Sequence, residues 1–239
     1  MKFKLILVLL LLVSFGANLF LGRKAMHYYT LLNALRLDPL ELRSYSEQEA
    51  ISTKKRVVML GDSRVQAWPS IESESFMVYN RGIHGQTSIQ VRERFVAHVQ
   101  GLHPDIVVLQ VGMNDLKTIG LFPERKEKIV EDCKRNIQIL MEKIHGLGAQ
   151  VILTTTIPAG PIPLIRRSVW SDDIDIAVHK LNQHIKSINQ DGVHIFDVAA
   201  LVDETQYLDA LHLEKEAYKT LNHHLEKEIM GIIRTTVKN

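Results

Sequence analysis

The sequence predicts an α/β protein built on a parallel sheet. Five short runs of apolar, largely β-branched residues recur along it, and amphipathic helical patterns lie between them. Strands that are apolar on both sides belong inside a sheet covered on both faces, and strand–helix alternation is the pattern of βαβ units. The predicted strands are residues 56–60, 76–79, 106–111, 151–155 and 193–196. Ile129, Cys133, Ile137, Leu140 and Ile144 form one helical stripe, stopped by Gly146 and Gly148. A last helix carries Leu213, Ala217, Leu221, Leu225, Ile229 and Ile232 at the same period.

With 239 residues there is material for one well-buried domain plus an appendage. Hydrophobic content of 46% and charged content of 23% are globular values, which sets disorder aside. Net charge is +2 with both signs interleaved, so no basic block points to nucleic acid. Cys133 is the only cysteine, which excludes an intrachain disulfide and a cysteine-rich zinc site. No His-Glu-x-x-His or clustered carboxylate pattern is present, and neither a metal nor a cofactor is expected.

The amino terminus reads separately. Lys2 and Lys4 precede an apolar run over residues 5–21, closed by Gly22-Arg23-Lys24. A charged start followed by a hydrophobic core is a secretory signal, and Ser14 and Gly16 offer small residues for cleavage. The run is nearly long enough to span a bilayer, so an uncleaved signal-anchor over residues 1–24 is the preferred reading. Lysines stand at both ends, but short basic amino termini usually stay inside, which puts the remainder outside the cytoplasm. Residues 25–55 read as a lead-in with a short helix around Tyr28, Leu31, Leu32 and Leu35, interrupted by Pro39. Residues 56–239 read as the globular domain.

Chemistry gathers where the strands end. Gly61-Asp62-Ser63-Arg64 follows the first, Asn80-Arg81-Gly82-Ile83-His84-Gly85 the second, Gly112-Met113-Asn114-Asp115 the third, and Asp209-Ala210-Leu211-His212 comes after the fifth. In a parallel sheet all four lie at the carboxyl edge, where ligands bind. Acyl transfer needs a nucleophile, a base, an orienter for the base and donors for the oxyanion. Ser63, His212 and Asp209 suit the first three roles, and the Ser63 N–H, the Gly82 N–H and the Asn114 amide suit the last. A second Asp-x-x-His, Asp191 to His194, falls at the start of the fifth strand, the wrong edge, and reads as structural. Gly-x-Ser-x-Gly, the mark of the other large serine hydrolase fold, is absent.

These four blocks resemble the SGNH (GDSL-type) hydrolases, which they match in order through Ser63, Gly82, Asn114 and His212. The similarity spans residues 56–232 and leans toward the platelet-activating-factor-acetylhydrolase or lysophospholipase-like branch. It implies a flavodoxin-like three-layer α/β/α sandwich with a five-stranded sheet, and a Ser-His-Asp triad with Ser63, Gly82 and Asn114 as oxyanion donors. Arg64 departs from the family's common leucine.

Around this constellation, each residue has a bland reading beside the functional one. Arg64 and Arg81 either meet an anionic substrate or sit solvated at the surface; His84 either touches substrate or is a loop histidine without chemistry. Asp62 and Asp115 read as turn and cap acceptors. Trp170, in the proline-rich loop 158–170, either walls an acyl pocket or packs inward; Trp68 reads as buried, Cys133 as core, and His223 and His224 as solvated. The expectation is an exported, membrane-anchored serine esterase acting on a lipid, glycan or small-molecule ester. An extracytoplasmic acyltransferase with the same triad, or an inactive glycan- or lipid-binding module, are the alternatives.

Overall fold

In the computed structural model, which describes residues 2–45 and 53–236, the chain divides into two compact units, Met1–Glu41 and Leu42–Asn239. The first unit is dominated by α1, Lys2–Leu37, a single helix of 36 residues with no buried side chain. At 1.5 Å per residue it measures about 54 Å, longer than a bilayer's hydrocarbon core of about 30 Å. It is long and apolar enough to cross a membrane. The helix does not end at Gly22-Arg23-Lys24 but continues to Leu37, because nothing between them breaks it before Pro39. The short helix expected within the lead-in is therefore the end of this long one. Part of the lead-in, residues 46–52, lies outside the described residues, whereas Tyr45 belongs to the second unit: its hydroxyl donates to the Gly82 carbonyl.

The second unit holds all five predicted strands: β1 Lys55–Gly61, β2 Phe76–Gly82, β3 Ile106–Gln110, β4 Gln150–Thr154 and β5 Val193–Phe196. They form one wholly parallel sheet in the order β2-β1-β3-β4-β5. Successive side chains point to opposite faces. Val58, Leu60, Val107, Leu109, Val151 and Leu153 therefore enter one core layer, and Val57, Met59, Ile106, Val108 and Ile152 the other.

Helices cover both layers. After β1 comes the single turn α2, Ser63–Gln66; α3, Ser88–Glu93, and α4, Phe95–His98, follow β2; α5, Met113–Leu116, follows β3. The long α6, Lys126–His145, places the predicted stripe against the first layer, with Cys133 fully buried within it. Next is α7, Asp172–Ser187, in the same layer; α8, Lys215–Thr236, closes the other with Leu221, Leu225 and Ile229 completely buried. Each such aliphatic side chain removed from water contributes about 1.5–3 kcal/mol.

Connections leave β1 in opposite directions, to β2 on one side and toward β3 on the other. That makes the carboxyl end of β1 a topological switch point, where open α/β sheets bind ligands. Ser63 stands there. Because β2 runs three residues beyond its predicted end at Tyr79, Arg81 and Gly82 are part of the sheet rather than of the loop after it.

Candidate active site

Ser63 is the first residue of α2, so its N–H is among those that no intrahelical bond satisfies. Asp62 caps the turn by accepting from the Arg64 N–H at 2.9 Å, in line with the cap expected of it. Asp62 is buried, and that burial pushes its carboxyl up, against the pull of the Arg64 guanidinium. The short helix thus presents the Ser63 hydroxyl and N–H at the sheet edge.

His212 reaches the same point from a tight turn after β5. Tyr207 and Leu213 bridge across the base of this turn, and the Leu208 N–H donates to the His212 carbonyl at 2.9 Å. Inside it, Asp209 Oδ1 accepts from the N–H groups of Leu211 at 2.7 Å and His212 at 3.0 Å. His212 Nδ1 lies 2.9 Å from Asp209 Oδ2, and His212 Nε2 lies 3.0 Å from Ser63 Oγ. An ionised carboxylate only accepts, so Nδ1 carries the proton and Nε2 is left to accept from the serine. Partial burial alone would raise the Asp209 carboxyl. The Leu211 N–H, the His212 ring and the His212 N–H outweigh it and hold the group down at about 2.

Asn114 lies in α5, directly after Gly112, and is buried. Its Nδ2 donates to the Gln86 carbonyl at 3.0 Å, while its Oδ1 accepts from Lys117 Nζ at 2.5 Å. These bonds settle which end of the amide is which, and leave an N–H of Nδ2 to serve the pocket. Burial pushes the Lys117 ammonium down from its ordinary range. Asp115 accepts from the N–H and hydroxyl of Ser88, which ties the loop after β2 to the loop after β3.

Gly82 does not fit the oxyanion role expected of it. Its N–H is already donated to Asn80 Oδ1 at 2.9 Å, and the residue lies at the buried end of β2. A Cβ there would stand 2.0 Å from the Gln66 nitrogen, so glycine is present to let α2 close on the sheet. Gly85 instead lines the pocket with Ser63, Asn114 and His212; it adopts φ +74° and its N–H makes no hydrogen bond among the described residues. The signal was available in the sequence as a second glycine three residues on. Only the true length of β2, which runs to Gly82, favours Gly85 over Gly82.

Arg64 also departs from its predicted place. It is buried, with Nε donating to the Leu211 carbonyl at 2.6 Å, one terminal nitrogen to the Ile157 carbonyl and the other to the Pro158 carbonyl at 3.0 Å. It neither lines the pocket nor lies solvated; it joins the nucleophile turn to the histidine turn. Arg81 is buried as well, bonded to the His98 and Asn80 carbonyls beneath the Tyr45 ring. His84 and Trp170 do line the pocket, and the His84 ring lies over that of His212 at 6.0 Å between centroids. Trp68 is buried with its indole on Asn222. His194 sits in β5, 3.4 Å from Gln150, at the far end of the sheet from Ser63. Among the described residues no group of histidine, cysteine and carboxylate side chains could hold a metal ion.

The pocket above Ser63 has a volume of about 340 Å³. Val169 comes from the loop 158–170 read as a candidate apolar wall, whereas Lys117, Arg166, Leu121 and Leu211 join the lining without a sign in the sequence. Only tertiary packing brings them there.

The profile of the GDSL-like Lipase/Acylhydrolase family matches residues 53–220, well over half of the chain. The chain belongs to that family. A multidomain esterase of Ruminococcus flavefaciens is 24% identical over 146 residues, 58% of this chain and 17% of that protein. The chain thus matches only a small part of the length of this curated relative. Among solved structures, a Streptococcus pneumonia protein named for platelet activating factor superposes with a TM-score of 0.65 at 20% identity, over 85% of this chain and 98% of that one. A catalytic mutant of an acetylxylan esterase from Geobacillus stearothermophilus gives 0.52 at 20% identity, over 75% and 95%. At such identities these structures establish the fold, the flavodoxin-like sandwich of the SGNH hydrolases.

Proposed function

We propose that this family member is a serine esterase held at a membrane by α1, with its second unit outside the cytoplasm. The observation that carries the catalytic part is the continuous chain Ser63 Oγ, His212 Nε2, His212 Nδ1, Asp209, with 3.0 Å and 2.9 Å links. Ser63 attacks the ester carbonyl while His212 takes its proton and then returns it to the leaving alkoxide. Asp209, held at about 2, stays ionised at any working pH and stabilises the imidazolium. The N–H groups of Ser63 and Gly85 and the Nδ2 of Asn114 receive the oxyanion, Gly85 taking the place expected for Gly82. Water repeats the sequence on the acyl-serine, with His212 again as base. The apolar wall of Leu121, Val169 and Trp170 suits the acyl group.

The relatives named for esterase and acetylxylan esterase activity support an ester of short acyl chain, and a p-nitrophenyl series from acetate to palmitate tests it. We expect turnover to be greatest at the short end and to fall by on the order of 10⁴-fold or more in Ser63→Ala. Turnover that survives in this variant, with folding unchanged by circular dichroism, would sink the serine mechanism.

A further inference from the structure

We propose that the mouth of the pocket is a docking surface for an anionic lipid bilayer, so that esters reach Ser63 from a membrane; this rests on the esterase reading and adds the phase in which the substrate is met. Two chain segments form the mouth. One is the turn Lys117–Gly120 with the Leu121 and Phe122 that follow, and the other is the 3-10 turn Leu164–Val169. They touch through the backbone: a Cβ on Gly120 would stand 2.0 Å from the Val169 carbonyl oxygen. Both reach the pocket, through Leu121 and Val169.

The side chains there are unusual for a rim bathed in water. Ile165 is 88% exposed, Leu164 79% and Leu121 59%, with Phe122 and Val169 also exposed. Contiguous apolar groups of this size mark a surface meant to be covered. Leu164 and Ile165 are followed at once by Arg166 and Arg167, and neither arginine makes an ion pair among the described residues. Arg125 lies over the Phe122 ring at 5.2 Å. Of the neighbouring carboxylates, Glu124 is matched by Arg125 at 3.3 Å and Asp173 by Lys126 at 2.8 Å, while Asp172 and Asp175 at the start of α7 make no ion pair among the described residues. Aliphatic side chains beside arginines are what an interfacial element offers to acyl chains and anionic headgroups together. A second observation points the same way. The chain carries a helix fit to cross a bilayer, which would keep the second unit tethered near such a surface.

Fluorescence gives a direct test, since the two tryptophans are Trp68, buried in the second unit, and Trp170 at the pocket, and α1 has none. The full chain carrying Ser63→Ala is inserted into phosphatidylcholine vesicles with or without phosphatidylglycerol, the lipids bearing bromine on their acyl chains. Quenching is read against Trp170→Phe as the blank. Trp170 should be quenched in the phosphatidylglycerol vesicles and at least about threefold less in neutral ones. Leu164→Asp with Ile165→Asp should remove most of that quenching. The same pair of changes in the chain with native Ser63 should leave turnover of soluble p-nitrophenyl acetate within about twofold. Absence of quenching in either vesicle, or quenching that survives the aspartate pair, overturns the docking surface; equal quenching in both vesicles overturns its anionic partner. Because the vesicle measurement uses a chain without the nucleophile, its outcome is independent of the esterase reading, which fails or stands on turnover alone.

Discussion

Arg64 and Arg166 lie at the same site and are used in opposite ways. Arg64 is buried, and its guanidinium is consumed by three backbone carbonyls from two loops. Arg166 stands in the pocket, on an exposed turn, with no ion pair among the described residues. The same contrast runs through their surroundings. On the Asn114 side, the Asn114–Gln86 and Ser88–Asp115 pairs are largely buried hydrogen bonds. On the 158–170 side, Leu164 and Ile165 face solvent. Groups that must hold their place within a fraction of an ångström are fixed by satisfied buried polar contacts; groups that meet the substrate are left free to be covered.

The largest effect that would test this contrast belongs to Asn114, proposed above as an oxyanion donor. Asn114→Ala removes a donor and should lower kcat by about 10²–10³-fold with little change in KM. A loss confined to KM would place Asn114 in ground-state binding instead. Next comes the pair of arginines. Arg64→Leu, which restores the residue common in the family, strands three carbonyls and should cost about 3 kcal/mol in urea unfolding. Arg166→Leu should stay within about 0.5 kcal/mol. Equal costs for the two would remove the distinction between them.

A smaller effect concerns Asp115. Burial raises its carboxyl to about 6, against the Ser88 hydrogen bonds that lower it. Unfolded, the group titrates near 3.9. The folded state therefore binds the proton more tightly, and the stability this contributes below about pH 4 is lost as pH rises to about 6. Compared at pH 4 and pH 7, Asp115→Asn should gain on the wild type by up to about 2 kcal/mol; a gap independent of pH would show that the carboxyl is not held up. The smallest effect on activity is expected at the pocket wall, where Trp170→Ala should shift the acyl-chain preference by about a few-fold. An unaltered preference would remove Trp170 from the acyl pocket.

The strands and the gathering of Ser63, Asn114, Asp209 and His212 at one sheet edge were legible from the chain alone. Their cause is local: apolar β-branched runs make buried strands wherever they occur, and a parallel sheet brings every strand end to one edge. His194 could be set aside for the same reason, since the direction of a strand tells which edge its residues occupy. Gly82 and Gly85 could not be told apart this way, because choosing between them needs the residue at which β2 ends. That end is set by pairing with β1 and by α2 closing over Gly82, contacts between segments distant in sequence.

Arg64 shows the other limit. A lone arginine in a turn reads as solvated or substrate-facing, since burying its charge is costly unless several acceptors surround it. The acceptors here belong to Ile157, Pro158 and Leu211, some 90 and 150 residues away in the chain. Lys117 and Arg166 likewise become pocket residues only once α5 and the turn Leu164–Val169 lie around Ser63. Sequence pattern by itself therefore determined which groups gather at the carboxyl edge of the sheet, because that depends on which residues follow which strand. Tertiary structure alone decided which charges are spent on the scaffold and which remain for a substrate, because that depends on acceptors supplied by distant parts of the chain.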